Sequence, residues 1–216
     1  MKGWTSPKDV ILKVCEILTV KGGTNHIVEY FGSGCASISC TGKATICNMG
    51  AEHGATTSVF PYDERMAKYM KSTGRDGLVK VCDANKDLLV ADAEVEKDPA
   101  KFYDRVIEIN LDTLEPHVVG PHTPDLARPI SKMFEDAKKN NYPVNLTFAL
   151  IGSCTNSSYE DMGRAADVAK QATKQGAKIS VPLMVSPGSE QVYQTIKRDG
   201  QMKDLEAIGA VVLSNA

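Results

Sequence analysis

The sequence NLTFALIGSCTNSSYEDM, residues 145–162, decides the fold class of this chain. An apolar run over residues 146–151 predicts a β-strand, and a short polar turn that contains Cys154 ends it. Ser157 or Ser158 can then cap a helix whose first turn is acidic. A strand, a tight loop and a helix in this order place Cys154 at the carboxyl end of a strand. Open α/β sheets bind their ligands at that edge.

The position of Cys154 has two interpretations. Beside a helix N-terminus, unpaired N–H groups and the helix dipole favour a thiolate, which is the form that a metal ligand or a nucleophile requires. Most free cysteines, however, are small buried hydrophobic residues. Position alone leaves both interpretations open.

The second half of the chain alternates strands and helices. This alternation predicts parallel strands joined by right-handed crossovers, in an α/β fold. We expect Cys154 to follow a central strand of this sheet. Parallel strands end at one edge of a sheet, so the residues that follow them are expected to lie close together. The predicted strands are residues 146–151, 179–185 and 210–213, the predicted helices are 159–175, 190–198 and 203–208, and the strand ends carry Ser153-Cys154, Ser186-Pro187-Gly188 and Ser214-Asn215-Ala216.

The first half of the chain contains more varied elements. A helix opens at Ser6-Pro7 and closes before Gly22, because serine caps helices, proline fits their first turn and glycine ends them. A proline-rich passage over residues 115–124 is the predicted linker, which gives domains of residues 1–115 and 116–216. The other predicted elements are strands over 26–31, 56–60 and 106–111 and helices over 43–53 and 63–71.

Composition excludes several functional classes. The chain has 216 residues, a net charge of −2 and a pI near 6.1, so no basic field would recruit nucleic acid or anionic lipid. No apolar run approaches the roughly 18 residues of a membrane span. Six cysteines at irregular spacing, without a CxxC pair, argue against a disulfide framework and against zinc. The first ten residues resemble neither a signal peptide nor an Arg-rich transit sequence.

The sequence around Cys154 carries a family resemblance. Residues 151–162, IGSCTNSSYEDM, resemble the first iron–sulfur signature of the aconitase family. The likeness extends along nearly the whole chain and is closest to the mitochondrial members. It implies three-layer α/β/α domains with largely parallel sheets, residues 1–115 forming the second domain and 116–216 the start of the third. The other matching segments are KGWTSPKD (2–9), TICNMGAE (45–52), GATTSVFPY (54–62), TPDL (123–126) and PGSEQ (187–191).

The resemblance implies a cofactor and a reaction. Aconitases are [4Fe–4S] hydro-lyases of the tricarboxylic acid cycle that interconvert citrate and isocitrate through cis-aconitate. Cys154 matches the first of the family's three cysteine ligands. The other two lie in a Cys-Gly-Pro-Cys motif that follows a sequence similar to residues 211–216, and this chain contains no such motif. We therefore expect the chain to be an internal fragment that is inactive alone.

Asn48 and Glu52 match active-site residues of the family. They are four residues apart within a predicted helix, so we expect them to share one helix face and to face the cleft that contains Cys154. An ordinary solvated helix face is the alternative interpretation of an isolated Asn/Glu pair. The family's serine base, histidine–aspartate pair and substrate-binding arginines match no residue here, and His53 is expected to be structural or exposed.

The resemblance also implies partners and a compartment. Citrate, cis-aconitate and isocitrate are the expected ligands of the full-length enzyme, which is expected to be a mitochondrial monomer without nucleic-acid or membrane partners. Cytosolic relatives can instead be RNA-binding regulators, an alternative that the net charge of −2 disfavours. A nucleotide-binding α/β module is a third possibility, but the chain has neither a P-loop nor a full dinucleotide fingerprint.

Overall fold

The computed structural model describes residues 1–215 and divides the chain into two compact units. Unit 1 is Met1–Phe134 and unit 2 is Glu135–Ala216. The domain boundary predicted after residue 115 therefore lies inside unit 1. No helix among the described residues is long and apolar enough to cross a membrane.

Unit 1 is built on its first helix, α1 (Pro7–Leu18). The predicted start is confirmed, because the Ser6 N–H donates to the Asp9 carboxylate at 2.7 Å and proline occupies the first helical position. The apolar face of α1 forms the core of the unit together with Ile38, Ile46 and Met49. The helix ends at Thr19, whose φ of 59° is incompatible with a further turn.

The other elements of unit 1 form two small sheets and a set of short helices. One sheet is a parallel pair of the strands Ile27–Glu29 and Thr57–Val59, and the other is an antiparallel pair of the strands His117–Val119 and Ala127–Pro129. The predicted strands over 26–31 and 56–60 and the predicted helix over 63–71 are confirmed with shorter or shifted bounds. In order, the elements are β1 (Ile27–Glu29), α2 (Cys40–Asn48), β2 (Thr57–Val59), α3 (Glu64–Ser72), α4 (Asp76–Ala84), α5 (Ala93–Lys97), β3 (His117–Val119) and β4 (Ala127–Pro129).

Two predictions for residues 106–124 differ from the structure. Residues 106–111 form no strand, because their apolar side chains pack onto the α1 core without a neighbouring strand to pair with. The proline-rich passage is also not a free linker, since it contains β3, which pairs with β4. The backbone N–H of His117 donates to Asp9 at 2.8 Å, and Thr5 donates to the Leu114 carbonyl at 2.8 Å. These bonds attach the passage to α1, so unit 1 extends beyond residue 115.

Unit 2 confirms the predicted alternation of strands and helices. Its sheet has the order β5-β6-β7, with both strand pairs parallel. Each predicted strand is present but shorter than its apolar run. The elements are α6 (Met133–Asn140), which starts at the end of unit 1, followed by β5 (Ala149–Gly152), α7 (Tyr159–Lys174), β6 (Leu183–Ser186), α8 (Glu190–Asp199), α9 (Gln201–Ala207) and β7 (Val211–Val212).

The sheet of unit 2 is covered by helices on one face within the described residues. Ile151, Val185 and Val212 are paired in register and pack with buried residues of α7, α8 and α9. The neighbouring row on the opposite face contains Leu150 and Val211, which are 60% and 52% exposed. The α/β class with a parallel sheet is confirmed, and residues 1–215 supply one helical layer for this sheet.

A buried ion pair joins α2 to the start of α3. The Lys43 side chain is only 2% exposed, and its ammonium pairs with Asp63. The other oxygen of Asp63 caps α3 by accepting from the Met66 N–H at 3.0 Å. The Lys43 ammonium also lies 5.8 Å from the centre of the Phe60 ring. Lys43 therefore fixes α2, the helix that carries Asn48.

Replacing Lys43 by methionine is expected to lower the free energy of unfolding by about 2 kcal/mol, measured by urea titration. Methionine keeps most of the buried volume but leaves the Asp63 carboxylate without its cation. Asp63→Asn is the matched variant, because asparagine still caps α3. The double variant should lose less than the sum of the single losses. Additive losses would show that the pair is not coupled.

Candidate functional site

Cys154 lies in an exposed loop between β5 and α7. The loop begins at Ser153, which has a φ of 110°, a value that residues with side chains rarely adopt. The Ser153 hydroxyl oxygen accepts from the N–H groups of Thr155 and Asn156 at 3.3 and 3.4 Å. This local folding keeps the backbone around Cys154 compact and leaves the thiol in solvent. The structure therefore excludes a buried cysteine at this position.

The sequence offered Ser157 or Ser158 as the N-cap of the helix after the loop, and the structure selects Ser158. Ser158 is the cap of α7, with its hydroxyl oxygen 3.3 Å from the Asp161 N–H and its own N–H 3.1 Å from the Asp161 carboxylate. Ser157 is completely buried instead. The predicted place of Cys154, in a loop at the carboxyl end of a strand and before a helix N-terminus, is confirmed.

The strand that precedes Cys154 was expected to be central, but among the described strands it is not. Among the described strands, β5 is at the edge of the sheet and β6 is in the middle. The three strands are arranged in sequence order because each crossover helix returns the chain to the adjacent position on the same side. The first strand of such a run lies at the edge.

The ends of the three strands meet at one rim. The Ser186 hydroxyl donates to the Ser214 carbonyl at 3.3 Å, and the Gly188 N–H donates to the Ser157 carbonyl at 3.1 Å. These bonds join the loops after β5, β6 and β7, so the predicted juxtaposition is confirmed. Ala216, which the prediction also placed on this rim, lies outside the described residues.

Cys154 is the only cysteine in the described chain that is exposed. Burial raises the pKa of the Cys15 thiol to about 11 and also raises the pKa values of Cys35, Cys40 and Cys47. These thiols are therefore poorly suited to bind a metal as thiolates. Residues 1–215 contain no group of three possible metal ligands. The donors present fit one thiolate position of an iron–sulfur cluster and no more.

Asn48 and Glu52 do not lie on one continuous α-helix, so the predicted shared face is wrong. α2 ends at Asn48, and a 3₁₀-helix over Met49–His53 follows it. In a 3₁₀-helix, residues four apart are rotated by about 120° around the axis. Gly54 ends the segment at a φ of 83°, and the turn is closed by the Ala55 N–H, which donates to the carbonyl of residue 50 at 3.0 Å.

Asn48 and Glu52 have different surroundings. Asn48 lines a cavity of about 240 Å³ together with Cys47 and residues 50, 51 and 55–58. Glu52 is not among the lining residues, and one of its carboxylate oxygens is buried without a hydrogen-bond partner in the described chain. Both residues belong to unit 1 and Cys154 belongs to unit 2, so their approach to Cys154 stays a prediction.

His53, which was expected to be either structural or exposed, is a buried residue in the structure. Its side chain is completely buried, and both ring nitrogens are without a hydrogen-bond partner among the described residues. Gly23 leaves room for the ring, because a Cβ at that position would lie 2.4 Å from Nδ1. Burial lowers the pKa of His53, although the nearby Glu52 carboxylate opposes the shift. The ring is therefore neutral in the folded chain near pH 7.

Acidification is expected to destabilise the chain through His53. Below the ordinary histidine pKa of about 6.5, the unfolded chain binds a proton that the folded chain excludes, so stability falls as pH falls. Urea titrations between about pH 7 and pH 5 should show this slope, and His53→Asn should reduce it. His122→Asn is the control, because His122 is exposed and asparagine tolerates its φ of 73°. An unchanged slope in His53→Asn would contradict the prediction.

Comparison with known proteins agrees with this geometry. The model of the aconitase family (aconitate hydratase) matches residues 1–216. Two proteins named "Probable aconitate hydratase, mitochondrial", from Dictyostelium discoideum and Caenorhabditis elegans, are 59% and 60% identical over 216 residues. "Aconitate hydratase, mitochondrial" of Gracilaria gracilis is 57% identical. Each alignment covers all of this chain, which spans about 27% of each relative's length. The chain belongs to the aconitase family.

Proposed function

We propose that this chain is part of a mitochondrial aconitate hydratase, a hydro-lyase that interconverts citrate and isocitrate through cis-aconitate. The observation that carries the proposal is the exposed Cys154 thiol on the rim of a parallel sheet, inside the sequence that resembles the family's first cluster signature. The compartment follows from the names of the relatives. The intact protein is proposed to act as a monomer.

Cys154 is proposed to supply one ligand of a [4Fe–4S] cluster. When bound, such a cluster provides an iron that acts as a Lewis acid on the leaving hydroxyl of the substrate. The chain's own contribution is a thiolate in a loop fixed by the Ser153 hydroxyl, the Ser158 cap and the bond to Gly188. The other ligands are proposed to come from a Cys-Gly-Pro-Cys motif outside residues 1–216, as the family resemblance implies.

Asn48 and Glu52 are proposed to contribute the polar groups of unit 1 to the active site. Asn48 lines a cavity, and its side-chain amide is proposed to orient an ordered water or another polar group there. The buried oxygen of Glu52 is proposed to accept a hydrogen bond from water or from a catalytic histidine outside the chain. The proton-transferring base and the carboxylate-binding arginines are proposed to lie outside residues 1–216.

The test is an assay of the longer protein that carries this segment. Supplied with citrate, isocitrate or cis-aconitate, it should form the other two acids, measured by the cis-aconitate absorbance and by separation of the products. Salt-dependent binding of an RNA hairpin without turnover of any of the three acids would favour the RNA-binding alternative. The net charge of −2 argues against that outcome for this segment.

A further inference from the structure

The loop that carries Cys154 is held by a second loop, which follows β6. We call residues 153–158 the cysteine loop and residues 187–189 the clamp loop. The Gly188 N–H donates to the Ser157 carbonyl at 3.1 Å. The side chains of Pro187 and Ser157 are both buried, so the contact between the loops is packed on both sides of this bond. The hydroxyl of Ser189 caps α8 by accepting from the Val192 N–H at 3.2 Å, which fixes the far end of the clamp loop.

The two loops are packed closely enough that a side chain at Gly188 would press on the backbone of Ser157. A Cβ on Gly188 would lie 3.0 Å from the Ser157 carbonyl oxygen and 3.3 Å from its carbonyl carbon. Both atoms belong to the backbone, so a Cβ at this position would displace the cysteine loop itself by a few tenths of an ångström, rather than the end of a flexible side chain. Gly188 is not among the residues with positive φ, so alanine would suit its backbone conformation. The close approach to Ser157 is therefore the constraint at this position.

We propose that Gly188 is a positioning residue for Cys154: its contact with Ser157 sets where the thiol stands on the rim. Displacement of Ser157 would reach Cys154 through a short backbone segment that the Ser153 hydroxyl holds together. Residues that orient a metal ligand without touching the metal affect metal retention strongly. This inference rests on the proposed function, because it assigns the cluster as the group that Cys154 binds.

Gly188→Ala in the longer, cluster-loaded protein is the first test. Loss of iron to a chelator, followed by the visible absorbance of the cluster, is expected to be roughly tenfold faster than in the unaltered protein. Gly163→Ala is the matched control. It lies within α7, and a Cβ there meets no atom within 4 Å. Its rate of iron loss should be unchanged.

The amide of Gly188 gives a second measurement that needs no variant. In the unaltered 216-residue chain, hydrogen exchange at the Gly188 amide is expected to be slower than at the amide of the exposed residue Cys154, because the Gly188 N–H is bonded to the Ser157 carbonyl. Equally fast exchange would show that the two loops do not touch, and would overturn the inference even if Gly188→Ala failed to fold.

The outcomes separate this inference from the proposed function. If Cys154→Ser abolishes the cluster while Gly188→Ala loses iron at the unaltered rate, only the positioning role is overturned. If Cys154→Ser keeps the full cluster, the proposed ligand is wrong and the positioning role is overturned with it. Faster iron loss in Gly188→Ala alone, with a protected Gly188 amide, supports the inference.

Discussion

Replacing Cys154 by serine in the longer protein is expected to abolish both the [4Fe–4S] cluster and citrate turnover. Clusters of this kind are held by deprotonated sulfur ligands, and a serine hydroxyl is not deprotonated at neutral pH. The serine variant should fold normally, because Cys154 is exposed and makes no contribution to either hydrophobic core. Iron and sulfide analysis, visible absorbance and the citrate assay measure the loss.

Cys82→Ser is the control for this experiment. Cys82 is a half-buried residue near the C-terminus of α4 in unit 1, and it matches no cluster ligand of the family. Its replacement should leave iron content and turnover unchanged. Full cluster content in Cys154→Ser would contradict the assignment, as would equal losses in the two variants.

The 216-residue chain alone gives a complementary expectation. Reconstituted anaerobically with iron and sulfide, it should not assemble a four-iron cluster, because residues 1–215 offer no group of three ligands. A version extended through the expected Cys-Gly-Pro-Cys motif should regain part of the cluster binding. It should not turn over citrate, because the proposed base and arginines would still be absent. Stoichiometric four-iron binding by the unextended chain would refute this.

The parts of the structure that the sequence predicted well are those fixed by local chemistry. The start of α7 follows from Ser158 and Asp161, which bond to each other's backbone and need no distant partner. The position of Cys154 follows from this cap and from the strand before it. Parallel pairing followed from the alternation of strands and helices, since short crossovers allow few other arrangements.

The parts that the sequence did not predict depend on tertiary contacts. Residues 106–111 have the composition of a strand, but no partner strand lies beside them, and their apolar side chains pack onto the core instead. The proline-rich passage contains a strand that pairs with β4, and it is attached to α1 because Asp9, far away in sequence, accepts from the His117 N–H. Periodicity over a short window contains no information about either contact.

The candidate site also combines features that local sequence determines with features that depend on distant contacts. The position of Cys154 in a loop before a helix was predictable, because loop and cap are both local, whereas the exposure of its thiol was left open by the sequence. The change from α-helix to 3₁₀-helix after Asn48 was not, because it depends on how the chain closes at Gly54 and Ala55. The burial of His53 against Gly23 was also unpredictable, since it joins segments that are distant in sequence.

Glu52→Gln in the longer protein is expected to lower kcat by roughly 100-fold, a typical loss for a group that assists proton transfer. Glutamine keeps the size of the side chain but removes its charge. It also offers an N–H₂ group where the structure has a buried oxygen without a partner in the described chain. A hydrogen-bond donor supplied from outside the chain would then face either the neutral amide oxygen of the glutamine or its NH₂ group. Neither replaces the carboxylate as an acceptor.

The loss of turnover should be separable from any loss of stability. Glu52 forms no ion pair within residues 1–215, and this variant only replaces a carboxylate oxygen by an amide nitrogen. The free energy of unfolding should therefore change by less than about 1 kcal/mol. Iron content should stay at the unaltered level, which would distinguish a role in catalysis from a role in cluster retention.

Glu108→Gln, at an exposed position of unit 1, is the matched control and should keep normal turnover. Near-normal kcat in Glu52→Gln would remove Glu52 from the catalytic machinery. A parallel fall in kcat and stability would instead make its role structural, through the buried histidine beside it.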